Sequence, residues 1–499
     1  MKVKFKTVLT AIIFELIIMP AILLCQDQSQ LSGPYQTTGI RIGEVTRTEA
    51  IIWTRLTLNP KRVGSDAPFP SVRYKDPSTG DLVKIKSGNR PNLEPVAAYP
   101  DGFTVKNIQG AVPGTEGRVR VLYKTKGSAD WLLTSWSEVE ADHDYTHQFK
   151  LVNLFPDTEY ELRIESESLG GIKGQVVEGK FKTAPKPDQI KKIVFTVVTC
   201  QNYVSRDDGE NGFKIYPQIL KLNPDFFVHT GDIIYYDQLA KNIDLARWYW
   251  QIIYSYPSNV EFHRWINSYF MKDDHDTWMN DAYPGMKTKF MGEFTFKQGQ
   301  QVFLDEVPMG EKTYRTFRWG KDLQIWLPEG RDFRSDNDAP DGPEKTIWGK
   351  EQKEWFKKTV QESDATFRIL ISPTPLVGPD RGENKSDNHA NEAFATEGSE
   401  LRHFVANQKN MIVINGDRHW QYASKDLETG LREFGCGSFT DKHAGGWSND
   451  QVLPEHEYVN VVGGFLTVTI ERIEDKPLMT VRHYSVDGKI LHEYKQFAQ

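Results

Sequence analysis

Cysteine is scarce: there are three in 499 residues, and Cys25 sits in the N-terminal leader. The other two, Cys200 and Cys436, are too few for a disulfide scaffold, although they leave room for one bridge. Basic charge is not in excess either. Against 61 Lys and Arg stand 68 Asp and Glu, for a net charge of −7. No surplus of cations is available to track a phosphate backbone, so no nucleic-acid-binding surface is expected. A basic tail, a heptad run and an internal repeat are also missing. What remains is an ordinary globular composition, 38% hydrophobic and 26% charged. The chain is too long for one compact core, and two domains are expected.

The first 25 residues read as a secretory signal. Lys2, Lys4 and Lys6 form a basic start, Val8 to Leu24 an apolar run, and Gln26 to Ser32 a polar stretch. Glu15 interrupts the apolar run, which argues against a membrane anchor. Cys25 sits where a lipid-modified cysteine would sit, but Ile22-Leu23-Leu24 departs from the small residues such processing prefers. A lipoprotein and a cleaved soluble form are both open. Either way the protein is expected to be exported, periplasmic or secreted.

Residues 36–183 show short alternating stretches divided by turns, as half-buried strands do. Examples are Gly39 to Gly43, Glu49 to Arg55, Arg118 to Tyr123 and Val176 to Phe181. Around Pro156-Asp157 a strand ends at Leu154 and another starts near Tyr160, a layout similar to fibronectin-like sandwiches. After the Pro-containing linker Thr183 to Asp188 the pattern changes. Continuous apolar runs appear at Ile193–Val198, Phe226–Val228, Leu323–Leu327, Ile369–Ile371 and Met411–Ile414, the signature of strands covered on both faces. Helical stretches at Gly212–Leu222, Leu239–Tyr254 and Lys350–Glu362 alternate with them. An α/β domain over 190–497 follows.

In α/β folds chemistry gathers where strands end. Reading those ends in order gives Thr199-Cys200-Gln201, Gly231-Asp232-Ile233-Ile234-Tyr235, Asp273-Asp274-His275-Asp276 and Gly416-Asp417-Arg418-His419. Singly, each is the kind of turn or acidic loop that any protein carries. Together they converge carboxylates, an imidazole and a thiol, a set that repels itself and takes up protons unless a cation neutralises it.

These motifs resemble those of the PhoD-like alkaline phosphatases and phosphodiesterases, a branch of the calcineurin-like metallophosphoesterases. Gly231-Asp232-X-X-Tyr235 is similar to the superfamily's Gly-Asp-X-X-Tyr. Asp273-Asp274-His275-Asp276 resembles its Gly-Asn-His-(Glu/Asp) in the PhoD-like form, and Gly416-Asp417-Arg418-His419 its Gly-Asp-X-His. Cys200 stands where that branch has cysteine. The resemblance implies a four-layer α/β (α+β) sandwich behind an N-terminal fibronectin- or Ig-like β-sandwich domain. It also implies a two-metal centre. Cys200, Asp232, Tyr235 and His419 would hold an iron(III); Asp232 would bridge to a divalent ion, calcium or another, also held by Asp274 and Asp417. His275 would assist as proton donor, and a metal-bound hydroxide would hydrolyse phosphomonoesters or phosphodiesters. The family's Asp-X-Arg is replaced in the tract Trp326 to Arg334, where Arg331 or Arg334 is expected to grip an anion. His443 is expected to line the pocket, His229 to lie behind it, and Cys436 to be a packed small residue.

Two other functions fit the same residues. A cationic centre beside a histidine could acidify the C–H next to a sugar carboxylate and eliminate across a uronate-containing oligosaccharide. A non-catalytic binding protein is the third reading, disfavoured because each matched ligand position holds a competent ligand. The partner expected is an anionic small molecule or oligomer, and the protein is expected to be a monomer.

Overall fold

The computed structural model describes residues 33–85, 92–381 and 387–499. The leader and Cys25 lie outside the described residues. Among the described residues no helix is long and apolar enough to cross a membrane.

Two sheets lie face to face at the centre. The first has nine strands in the order Ile490–Phe497, Lys476–Tyr484, Phe465–Ile473, Ile193–Val198, Phe226–His229, Asn267–Phe270, Ile40–Gly43, Ala50–Arg55 and Thr146–Leu151. The second has seven: Arg315–Trp319, Leu323–Leu327, Phe367–Ser372, Met411–Asn415, Arg432–Cys436, Gln421–Lys425 and His456–Asn460. The apolar runs are continuous because each strand feeds two cores. Phe226 and Val228 face the second sheet while Phe227 faces the helices; Ile369 and Ile371 face the first sheet while Leu370 turns outward. Helices Ile215–Leu222, Ile243–Tyr254 and Phe296–Glu306 cover the first sheet, and Lys350–Glu362 and Ala395–Ala406 the second. Four layers result, helix on sheet on sheet on helix.

The N-terminal segment forms a sandwich with its own core, in which Ile40, Ile42 and Ile52 meet Val119, Val121, Leu162 and Ile164. Its outer sheet consists of Lys173–Lys182, Glu159–Glu167 and Arg118–Thr125 with two short edge strands. Its inner sheet is not separate. Ile40–Gly43 runs parallel to Asn267–Phe270, with Ile42 opposite Asn267, so that three N-terminal strands extend the nine-stranded sheet. Arg41, buried between the rings of Trp53 and Tyr254 at 3.7 Å from each centroid and donating to the Glu306 carbonyl, pins the same junction. Tyr160 makes the expected corner: its hydroxyl accepts the Phe155 N–H at 2.8 Å. The preceding strand stops at Leu151, not Leu154, because Asn153 takes a left-handed conformation at φ 58° and breaks the pleat.

At the carboxyl edge the two sheets converge. A parallel bridge between Thr199 and Ser438 joins them. A Cβ on Gly416 would lie 2.2 Å from Thr230 Oγ1 and 2.8 Å from Thr199 Oγ1, so only glycine permits this approach.

Candidate metal centre

Four loops meet at that edge. Cys200 follows the strand Ile193–Val198, Asp232 follows Phe226–His229, Asp273 to Asp276 follow Asn267–Phe270, and Asp417 to His419 follow Met411–Asn415. Cys200, Asp232 and Asp417 all hold left-handed backbone, with φ of 57°, 56° and 64°. Such a conformation costs a side-chain-bearing residue on the order of 1 kcal/mol or more, and its clustering here is characteristic of a functional site. Gly231 sits between them. A Cβ there would lie 2.7 Å from both N and Cβ of Asp273, so its absence lets the Asp273 turn press against Asp232.

Asp232 is the common member. One ligand atom each from Cys200, Asp232 and His419 lie within 4.8 Å of one another; so do atoms of Asp232, Asp274 and His275, and of Asp232, Asp273 and Asp417. The Cys200 thiol and the Tyr235 hydroxyl both approach Asp232 Oδ2, at 3.4 and 3.3 Å. Asp232 Oδ1 and Asp273 Oδ2 are buried with no hydrogen-bond partner. Leaving a buried carboxylate oxygen unpaired is costly, and a cation would satisfy it.

The electrostatics agree. Burial, then the charges of Asp232 and Asp417, pushes the Cys200 thiol well above its usual range. Burial, then Asp232 and Cys200, does the same to the Tyr235 phenol. Asp232 is held well above a normal carboxylate, by burial and by Asp274 and Asp273 against the pull of His275. Asp417 is raised to about 6 by burial, against the opposing pull of Arg418. Such a set ionises only beside positive charge. Thiolate, phenolate, imidazole and carboxylate donors therefore fit a transition-metal site, and the carboxylates around Asp232, Asp273, Asp274 and Asp417 fit a harder cation.

Further hydrogen bonds brace the acidic loops. Asp276 accepts the N–H groups of Asp232, Ile234 at 3.0 Å and Asp273 at 3.1 Å, stapling two loops together. Asp274 accepts its own neighbour's N–H from His275 at 2.7 Å and that of Asp281 at 2.6 Å. Burial opposes its ionisation, but Arg331 and His275 hold it down at about 2.

His275 lies against the Tyr235 ring, centroids 4.3 Å apart, with Nδ1 3.1 Å from Asp237 Oδ1. Burial alone would lower its pKa. The carboxylates of Asp237, Asp274 and Asp232 outweigh that and push it well above the usual histidine value. Asp237 was not singled out by sequence. It lies five residues past Asp232 on a one-turn helix, Tyr236–Leu239, where an acidic residue reads as solvated.

The Trp326 to Arg334 tract is built inward. Lys272, buried, pairs with Glu329 and Asp332 at 2.6 Å each. Glu329 in turn accepts the N–H groups of Arg331 and Asp332 at 2.9 and 2.6 Å, so glutamate fixes the turn before the arginine. Arg331 is fully enclosed, donates from Nε to Asp273 at 2.6 Å, and lies 3.6 Å from Asp274. Arg334 is also buried, bonded to Asn337 at 2.7 Å and set over the Phe394 ring. Arg418, in the variable position before His419, is fully buried between Asp417 at 2.8 Å and Asp380 at 2.7 Å and aims the Asp417 carboxylate.

His443 lies beside His419, its ring 4.0 Å from that of His419 and its Nδ1 3.2 Å from the Cys200 carbonyl. His229 lies behind the site, accepting the Gly231 N–H at 3.4 Å and stacking on Phe439; burial drives it down to about 3. Cys200 and Cys436 are both free, so the single bridge that two cysteines permit is not made. Cys436 packs in the core between the two sheets, its thiol directed at the Asn415 carbonyl.

A face-to-face α/β/β/α sandwich carrying these four loops on one edge is the metallophosphoesterase fold. Two solved structures share it. The PhoD structure aligns over 93% of this chain and 91% of its own, with a TM-score of 0.69 and 17% identity. Purple acid phosphatase PPD1 from yellow lupin (Lupinus luteus) seeds aligns over 91% of this chain and 73% of its own, with a TM-score of 0.61 and 13% identity. The description PhoD-like phosphatase matches residues 195–461, more than half the chain and all four loops, and the protein belongs to that family. Alkaline phosphatase D of Bacillus subtilis (strain 168) is 23% identical over 360 residues, which span 58% of this chain and 59% of that relative.

Proposed function

We propose that this protein is an exported metal-dependent phosphoesterase that hydrolyses phosphomonoesters or phosphodiesters. The observation that carries the reading is the placement of Asp232, one carboxylate shared by three converging donor groups with one oxygen buried and unpaired. Family membership supports it, and the N-terminal leader supports export. Cys200, Asp232, Tyr235 and His419 would hold an iron(III), and Asp232, Asp274 and Asp417 a divalent ion such as calcium. When bound, these ions supply Lewis-acid polarisation of the phosphoryl group and a lowered pKa for water.

The chain's own residues do the rest. His275, kept protonated by Asp237, donates a proton to the departing oxygen. Asp237 stands outside the donor set, so its pull on His275 persists when the other carboxylates are neutralised. Arg331 and Arg418 lock Asp273, Asp274 and Asp417 in place, which limits reorganisation at the reacting centre.

The test is metal content, visible colour and phosphate release by the mature protein, with Asp232→Asn in parallel. A coloured wild type that turns over nitrophenyl phosphates, and a colourless, metal-poor, inactive variant, is the expected result. Absent turnover in a metal-replete wild type would sink the proposal.

A further inference from the structure

Among the described residues, the arginines packed around the centre are enclosed, with one exception. Arg331 and Arg418 are tied to carboxylates beneath the site. Arg381 follows the strand Phe367–Ser372 on the same carboxyl edge, yet its side chain is 34% exposed. Its Nε is 3.8 Å from Asp380 Oδ1, too long for a hydrogen bond, and its Nη groups make none with described residues.

Its position is built. The guanidinium lies 5.5 Å from the centroid of the buried Trp420 ring, which stacks on Trp447 at 5.2 Å and 19°. A Cβ on Gly446 would come within 3.1 Å of Arg381 Nη1 and 3.4 Å of Trp420, so a glycine leaves the guanidinium its space. The same segment is anchored to the centre: Gly445 N donates to the His419 carbonyl at 3.0 Å, and His443 lies against the His419 ring. Asp380, which steadies Arg381 from one side, is itself locked by Arg418.

A cation held this way has an aromatic wall behind it and open donors in front. It suits a second anion, because a planar guanidinium pairs with carboxylate or phosphate through two parallel hydrogen bonds. We propose that Arg381, backed by Trp420 and Trp447, is a specificity-determining residue for phosphate esters whose organic part carries a second negative charge, a carboxylate or a further phosphate. This rests on the phosphoesterase reading above.

The experiment compares 4-carboxyphenyl phosphate with phenyl phosphate in the metal-loaded mature protein, following phosphate release at low ionic strength. Wild type, Arg381→Gln and Arg381→Lys are measured, with metal content determined for each. The expected result is that the ratio of kcat/KM, carboxylated over neutral, falls roughly tenfold in Arg381→Gln, chiefly through KM. Arg381→Lys keeps part of the preference, and added salt compresses it in the wild type. A ratio that is the same in all three proteins, at equal metal content, overturns the assignment while leaving the phosphoesterase reading intact. Turnover of neither ester by metal-replete wild type overturns both.

Discussion

Replacing Asp237 by Asn tests whether His275 works as a proton donor. At 3.1 Å and an effective dielectric of about 20, the attraction between the Asp237 carboxylate and an imidazolium is about 5 kcal/mol. Asparagine keeps a neutral hydrogen bond to Nδ1, so the net loss is smaller, about 1–3 kcal/mol, or roughly one to two pKa units. The sign follows from the direction of the shift. Asp237 raises the folded pKa of His275, so its removal lets the proton leave at lower pH. The alkaline limb of the kcat profile should move down by roughly one to two units, and activity on the alkaline side should fall by roughly ten- to a hundredfold. Alkyl phosphates, whose leaving oxygen needs the proton most, should suffer more than nitrophenyl phosphates. The Asn280 N–H, 3.3 Å from Asp237 Oδ2, would face an amide NH2, for a stability loss of about 1 kcal/mol. Metal content should not change. A loss that is equal for both leaving groups, with the alkaline limb unmoved, would refute the reasoning and make Asp237 a structural brace.

Two further outcomes follow from the geometry. Glu397 accepts from Thr346, Ile347 at 2.6 Å and His389 at 2.9 Å; burial opposes its ionisation, yet these bonds depress its pKa to about 2. Its contribution, at most about 3 kcal/mol, is full above the unfolded value near 4.5 and is lost as pH falls towards 2, so Glu397→Gln should lower Tm at pH 7 and flatten the acid limb of Tm against pH. Gly231→Ala forces a methyl to within 2.7 Å of the Asp273 backbone at φ 116°, and should weaken metal retention at least roughly tenfold, read by competition with a chelator, with a stability loss of about 1–3 kcal/mol.

The core and the centre were legible for a local reason. Ile369-Leu370-Ile371 is apolar throughout because alternate residues enter different layers, and Cys200, Asp232, Asp274 and Asp417 lie within a few residues of a strand end. Non-local facts were hidden. Nothing near Ile42 announces that it will pair with Asn267, so residues 36–183 read as a self-contained sandwich although half of it belongs to the larger sheet. Asp237 and Arg381 carry no periodicity or spacing signal; only the folded loops bring one to His275 and the other beside Gly446. Arg331 was half legible: its place near a strand end suggests an anion grip, and only the folded loops set its Nε against Asp273.

The shared sheet also sets an order of assembly. The strand Ile40–Gly43 is among the first made, but its parallel neighbour emerges from a ribosome only after about 220 more residues, tens of seconds at roughly 5–20 residues per second. Until then the outer hairpins of the N-terminal sandwich can form, while Ile40–Gly43 waits with one flank of backbone donors and acceptors open. Such a flank invites pairing with other chains. The junction that ties the N-terminal strands into the larger sheet is thus also the place where a half-made chain is most exposed.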